Sequence, residues 1–304
     1  MATQTQERRW AFLATAVPPI AWIVAFFLAP LAIVWAYSFG QNVGLTEVDI
    51  SGTLANYLRA LEPLYLGILA KSIFVAALTT LLCLVIGFPV ALAIVFASER
   101  WRPWMLLLIM LPFWTNLLIR TYALIAVLRT QGYVNFGLEW MWDHASLLMT
   151  LAGLQPLGEF EPLKLLYNNF AVVFGLVYVH LPFMVLPLYA ALDRIDKSLI
   201  EASLDLGAGH MRTLFSIVVP LAMPGIVSGI IITFVPALGA YLTPDLLGGP
   251  DSQMIANVIE RQFKRANDWP FGAALSFLLM YATFAVIALR AYWSRGQEAE
   301  KHGL

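Results

Sequence analysis

The chain has 304 residues, of which 60% are hydrophobic and only 12% are charged, and its net charge is -1. Soluble domains carry about 25% charged residues, so much of this surface is made for a solvent other than water. The near-zero net charge excludes a strong field for nucleic acid, and the single Cys83 excludes an intrachain disulfide or a cysteine metal cluster.

In chain order, the gaps free of Asp, Glu, Lys and Arg run over 10–46, 72–98, 103–119, 165–192, 213–244 and 269–289. A helix crosses a bilayer with roughly 20 apolar residues, and about 17 is the lower limit. All six gaps qualify, the third narrowly, with Arg120 near its outer end. They predict an all-α polytopic membrane protein. It would form a single transmembrane domain over 1–304, with six spans near 11–38, 70–98, 103–128, 167–192, 213–240 and 269–291. The stretch 144–158, which contains Pro156 and Gly158, reads as a loop or an interfacial segment. The first gap is too long for a signal-peptide core of about 7–15 residues, so an uncleaved anchor is expected.

Several of the spans carry prolines inside them: Pro18, Pro19 and Pro30, then Pro89, Pro112, Pro182 and Pro187, and finally Pro220, Pro224 and Pro236. Each frees a carbonyl and bends its helix. The bends are either kinks between packed helices or the lining of a path that opens and closes.

With six spans, both termini share one side. Placing them inside collects Arg8, Arg9, Arg100, Arg102, Arg194, Lys197, Arg212, Arg290, Arg295 and Lys301 there. Arg59, Lys71, Arg129, Lys164, Arg261, Lys264 and Arg265 fall outside. Basic residues in short loops face the cytoplasm, so both termini are expected in the cytoplasm of a bacterial inner membrane.

Between the fourth and fifth spans lies a polar, helix-forming island, 198–212, on the cytoplasmic side. Ile200, Leu204, Ala208 and Met211 make an apolar stripe at helical spacing. Glu201 and Asp205 stand four apart on another face, a like-charge pair that a basic partner would relieve. Gly207 in mid-pattern signals either a bend between two short helices or a backbone contact that tolerates no side chain. Ser198-Leu199-Ile200-Glu201 also fits a capping box, in which the glutamate returns a hydrogen bond to the helix start. The two roles of Glu201 are compatible.

Glu201-Ala202-Ser203, Gly207, Ile217 and Pro220 resemble the E-A-A-x3-G-x9-I-x-L-P signature of the membrane subunits of ATP-binding-cassette importers. Ser203 replaces the second alanine and Val219 the leucine. The resemblance implies that 198–212 is the coupling helix that docks on an ATPase subunit, and that Glu201, Ala202, Ser203, Asp205, Gly207, Ile217 and Pro220 are the ATPase-coupling residues. Longer blocks resemble the spermidine/putrescine permease family: Leu111 to Arg120, Leu181 to Tyr189, Asp245 to Gly249 and Asp268 to Ala274. That family implies a type I importer permease fold, a second permease subunit that is a paralogue, two ATPase subunits and a periplasmic substrate-binding protein. ATP and magnesium would sit on the ATPase, and this chain would carry no cofactor.

A polyamine path needs sparse acids, acceptor oxygens and aromatic faces for cation–π contact. The candidates are Trp114, Thr115 and Asn116 on the third span, and Tyr241, Asp245 and Glu260 around the outer end of the fifth. Asp245 either folds over a pore on the Gly248-Gly249-Pro250 turn or merely starts an exposed turn. Trp114 to Asn116 equally fit an interfacial aromatic belt. Arg120 is awkward for a cation path, and is expected to snorkel to the interface or to pair with Asp245 or Glu260.

Enzymatic classes find little footing. None of the five lysines follows a glycine, so no phosphate-cradling Gly-Lys-Ser/Thr turn exists. His144, His180, His210 and His302 lack metal-ligand spacing, and no nucleophile motif is present. His180 reads as a packed neutral side chain or a proton relay. The rival readings are an importer of another small organic cation, an opine or an oxyanion, and an ion-driven secondary transporter. The latter needs mid-span acids or broken half-helices, and mid-span acids are absent from the sequence.

Overall fold

The computed structural model describes the backbone of residues 2–44 and 47–302, and the side chains of 12, 14–44, 47–285 and 288. Arg8, Arg9, Arg290, Arg295 and Lys301, on which the orientation partly rests, lie outside the described side chains.

The elements run α1 (Ala2–Ile23), a π-helical turn Val24–Leu28, α2 (Ala29–Tyr37), β1 (Gln41–Val43), β2 (Glu47–Asp49), α3 (Ala55–Ala60) and α4 (Pro63–Phe96). There follow α5 (Arg102–Met110), a 3-10 turn Leu111–Trp114, α6 (Leu117–Leu128), α7 (Tyr133–Leu151), α8 (Asn169–Leu192), α9 (Lys197–Asp205) and α10 (His210–Thr213). A second π-helical turn, Leu214–Val218, leads into α11 (Val219–Leu238), and α12 (Leu242–Leu247), a 3-10 turn Pro250–Ser252, α13 (Ile255–Lys264) and α14 (Trp269–His302) complete the chain.

Four helical stretches are long and apolar enough to cross a bilayer: Ala14–Tyr37, Pro63–Phe96, Asn169–Leu192 and His210–Leu238. The third apolar gap is not one rod. Its helices break after Trp114 and resume at Leu117, with a bend of 96°. Trp269–Ala285 is a shorter apolar helix. Four rods, one broken pair and one short helix are compatible with about six crossings of an all-α membrane permease. Of the two readings of 144–158, a loop or an interfacial segment, the loop does not hold up to Leu151: α7 continues that far, because nothing in it breaks a helix before Gly153.

The π-helical turns have a common cause. Each ends two residues before a proline, Pro30 or Pro220. In each, a backbone N–H reaches five residues back, Ala29 to Val24 O and Val219 to Leu214 O. Proline has no N–H and crowds the carbonyl four residues before it. The local widening accommodates the ring while the helix continues.

The chain divides into two compact units, 1–66 with 258–304, and 67–257. In the first, α2 and α3 pack on α14. Asp268 organises this unit. Its Oδ2 accepts from Arg59 Nη1 at 2.8 Å and its Oδ1 from Asn42 Nδ2 at 3.3 Å and from the Phe271 N–H at 3.3 Å. The Arg59 guanidinium lies 3.9 Å from the centre of the Phe271 ring. One carboxylate thus ties the β1–β2 hairpin, α3 and the start of α14.

The second unit is built on α8 against α11, with α4 closing the core. Cys83, Ala91 and Ile94 of α4, Met184, Val185, Leu188 and Leu192 of α8, and Val218, Ala222 and Ile226 form one buried cluster. Gly225 lets the two helices meet, since a Cβ there would lie 2.3 Å from Ala191 Cβ and 2.7 Å from Pro187 O. At the C-terminal end of α8, Arg102 Nη1 pairs with Asp193 Oδ1 at 2.9 Å while its Nη2 donates to Val95 O at 2.8 Å. That guanidinium joins α4, α5 and the end of α8, from which the polar island departs.

Candidate coupling segment and substrate-path residues

The island is two short helices joined by a glycine bend. Asp196 caps α9, its carboxylate accepting the Ser198 N–H at 3.0 Å. This displaces the capping box expected at Ser198 and Glu201, because the helix starts earlier and Glu201 falls beyond its first turn. The Asp196 carboxyl is held below the usual carboxylate range by that backbone hydrogen bond.

Gly207 ends α9 at φ +82. The Gly207 N–H donates to Leu204 O at 2.9 Å and the Ala208 N–H to Ser203 O at 3.1 Å, the pair of bonds that closes a Schellman motif. A Cβ at Gly207 would meet nothing within 4 Å. Of the two explanations the sequence offered for this glycine, the geometry favours the bend, since what it demands is a backbone angle and not space.

The bend also alters the apolar stripe. Ile200, Leu204 and Ala208 are half-buried, and Ile200 and Leu214 pack on the cluster that holds Leu192 and Val218. Met211, beyond the bend, is 68% exposed, and Leu206 is 88% exposed. Glu201, Ala202 and Asp205 are exposed beside them. The segment therefore shows an inner face keyed to the helical core and an outer face of acids and large apolar side chains.

Ser203 lies between these faces. Its Oγ is 3.0 Å from Thr213 Oγ1, and Thr213 is buried. This hydroxyl pair latches α9 to α10. Ile217 is half-buried within the π-helical turn, and Pro220 stands at the first turn of α11. Asp196 and Thr213 were missed from sequence. The signal for the first was an Asp just before a helix-forming run. The second had no local signal, since its partner is ten residues away.

The substrate-path candidates are less unified. Trp114 ends the 3-10 turn and is 76% exposed. Thr115 Oγ1 donates to Pro112 O at 2.7 Å, and Asn116 Oδ1 accepts the Leu118 N–H at 2.8 Å as the cap of α6. Tyr241 is 44% exposed, and its carbonyl accepts from the buried Asn257 Nδ2 at 2.8 Å. Asp245 lies in the first turn of α12, exposed. Glu260 belongs to the other unit, where Lys264 sits 3.1 Å from its Oε1. Arg120 departs from expectation: its Nε and Nη1 are closed off from solvent, and among the described residues they have no hydrogen-bond partner. Among the described residues it forms no ion pair with Asp245. His180 is buried, and its Nδ1 must donate to Leu176 O, 2.8 Å away, since a carbonyl only accepts. Among the described residues no cluster of His, Cys, Asp and Glu is placed to hold a metal.

The apolar helices, and the short capped segment between α8 and α11, are those of an all-α membrane permease fold. Residues 7–294 match the family of binding-protein-dependent transport system inner membrane components, and the chain belongs to that family. It is therefore a multi-pass inner-membrane protein. It is 40% identical over 275 residues to the spermidine/putrescine transport system permease protein PotB of Salmonella typhimurium, covering 90% of both chains. Identity to the PotB of Escherichia coli K12 is 39% over 275 residues, covering 90% of this chain and 94% of that one. Among solved structures, a bacterial ABC transporter involved in import of the acidic polysaccharide alginate contains a chain of the same fold. The TM-score is 0.70 at 16% identity, over 97% of this chain and 98% of that one.

Proposed function

We propose that this chain is a membrane-spanning permease subunit of an ATP-driven importer of polyamines, spermidine or putrescine. The observation that carries the reading is 40% identity to a spermidine/putrescine permease across 90% of both chains. The substrate would arrive on a periplasmic binding protein and cross between this chain and a paralogous permease by alternating access, with both termini in the cytoplasm.

Energy would enter from separate ATPase subunits through 198–212. The exposed acids Glu201 and Asp205 and the exposed Leu206 and Met211 suit a partner groove that is basic at its rim and apolar inside. The opposite face, through Ile200 and Leu214, abuts the α4–α8–α11 core, so a push on the outer face is passed to the spans. Coupling requires only that the segment dock differently in two ATPase states. For the substrate, Trp114 and Tyr241 offer aromatic faces for cation–π contact, and Asp245 offers an exposed carboxylate.

The test is uptake of radiolabelled spermidine and putrescine by proteoliposomes holding this chain, its companion permease, the ATPase and the loaded binding protein. The expected result is uptake that needs ATP and the binding protein. Accumulation driven by an ion gradient without ATP would overturn the mechanism. Competition by an oxyanion or an opine, but not by polyamines, would overturn the cargo.

A further inference from the structure

One face of α7 is tied down and the other is bare. An irregular strap, 154–166, runs back along the helix and is held from Asn135, Trp142 and Ser146. Asn135 Oδ1 accepts the Leu163 N–H and its Nδ2 donates to Leu163 O, both at 2.9 Å. Trp142 Nε1 donates to Gly158 O at 2.8 Å, and Ser146 Oγ accepts the Leu157 N–H at 3.1 Å. On the opposite side Tyr133, Phe136, Trp140, Leu147, Leu148 and Leu151 recur at helical spacing, all between 57% and 76% exposed. So long an apolar stripe marks a surface that something covers.

The path of the chain says what covers it. The third membrane segment follows α8 along its length. Arg102 pairs with Asp193, the Phe113 and Phe183 rings lie 5.4 Å apart, and Leu124 and Leu128 share a buried cluster with Ala171 near the start of α8. Val134 packs on the same cluster, so α7 begins level with the first turn of α8, at the membrane boundary away from the polar island. The stretch Leu117–Leu151, of which α7 is the longer part, runs at 96° to Arg102–Trp114. A stretch at a right angle to a crossing helix lies along the membrane plane.

The strap fixes the depth. Lipid-exposed irregular backbone does not occur in the hydrocarbon region, and Glu159, Glu161 and Lys164 on the strap are exposed. The strap is therefore in water, and α7 beneath it is no deeper than the headgroups. Tyr and Trp are the side chains of that layer, and leucines on the same face reach the acyl chains. His144, within the stripe, turns its Nδ1 to Trp140 O at 2.7 Å, and an imidazole with one wet edge suits the same layer. Residues 133–151 contain no Lys or Arg, so the attraction is apolar and not to lipid phosphate. A soluble binding protein fits less well, because it leaves between visits and the stripe would then stand in water.

We infer that α7 lies flat in the headgroup layer of the leaflet opposite the polar island, its stripe toward the acyl chains and its strap toward water. In the orientation proposed above this is the periplasmic leaflet, and the inference is independent of the cargo. The strap leads to Tyr167, whose N–H donates to Leu247 O at 3.0 Å, so the membrane seat also steadies α12, which carries Asp245.

The test reconstitutes the purified importer, with Cys83→Ala in this chain and no other cysteine, in liposomes of phosphatidylethanolamine and phosphatidylglycerol. Single cysteines replace residues 133–151 and 154–164 one at a time and carry a nitroxide. Collision with oxygen, which concentrates in lipid, should rise and fall with the helical period along α7. At Tyr133, Trp140, Leu147 and Leu151 it should exceed collision with a water-soluble nickel chelate by roughly fivefold, and at Gly158 and Glu161 the order should reverse. Stripe labels open to the nickel chelate overturn the inference. So do stripe labels shielded from both agents, which a protein cover would produce, or shielded only once the binding protein is added. The preference should persist in phosphatidylcholine alone, and its loss there overturns an apolar seat in favour of headgroup recognition. Should the labelled variants fail to assemble, the wild-type importer is irradiated with a phospholipid bearing a diazirine near the glycerol end of its acyl chain. Adducts should fall on the stripe of α7 and spare the strap, and an α7 without adducts while α4 is labelled overturns the inference.

Discussion

Ser203 and Thr213 place their hydroxyl oxygens 3.0 Å apart across the glycine bend, one on each short helix of the polar island. Ser203 occupies the position where the importer signature carries alanine, so this chain has added a hydroxyl where the resemblance implies none. The pair stiffens a segment that would have to transmit force, since a hinge that yields between α9 and α10 loses displacement.

The latch predicts a specific energetic pattern. Ser203→Ala and Thr213→Val should each remove about 1 kcal/mol of local stabilisation. ATP-driven uptake should fall by roughly two- to tenfold, with insertion and binding-protein docking unchanged. The double variant should lose no more than the worse single one, because both remove the same bond. Strictly additive losses in a double-mutant cycle would show that the hydroxyls act independently.

Gly207 makes a separate prediction, because its requirement is angular. Gly207→Ala places a Cβ at φ +82, at a cost of about 1–2 kcal/mol, although the space is open. Gly207→Asn should be tolerated far better, since asparagine visits the left-handed region more readily. Uptake and ATPase stimulation should rank Gly, Asn, Ala in falling order. Equal activity for all three would remove the bend from the mechanism.

The close approach of α8 and α11 is tested at Gly225. Gly225→Ala must push Ala191 or the Pro187 carbonyl aside. Overpacking of this kind costs about 1–3 kcal/mol and should appear as a lower melting temperature of the purified protein in detergent. Ser228→Ala, one turn along on an exposed position, removes only a hydroxyl bond to the Pro224 carbonyl of its own helix, should lower the melting temperature far less, and serves as the control.

The Asp196 cap carries a pH dependence. Its folded pKa is depressed by the Ser198 N–H. Its contribution is therefore fully present above the unfolded value of 3.8 and lost as pH falls through the lower folded value. Amide exchange of Ser198 and Leu199 should quicken in that acidic window in the wild type. Asp196→Ala should show fast exchange at neutral pH already, and Asp196→Asn should stay protected without the acidic transition, because an amide oxygen still caps. An Asp196→Ala variant exchanging like wild type at neutral pH would assign the cap no weight.

Much of the architecture was legible along the chain because hydropathy and charge are local quantities. The apolar gaps marked the membrane helices, and the island between Arg194 and Arg212 announced itself as polar and helical. Asn116 and Asp196 show the limit. Both are cap residues by type, yet Asn116 was read as a substrate-path amide and Asp196 was overlooked in favour of Ser198. Which of several capping residues a helix uses depends on where its first turn forms, a matter settled by packing.

By itself, the sequence determined that the chain is a helical membrane protein, since composition alone sets which stretches prefer lipid to water. It also carried the island's signature, because that signature is a run of neighbours. Tertiary structure alone decided the break at Thr115 and Asn116, the hydroxyl contact of Ser203 with Thr213, and the enclosure of Arg120 Nε and Nη1. Each of these depends on what distant segments bring to the same place, and a local pattern contains no term for that.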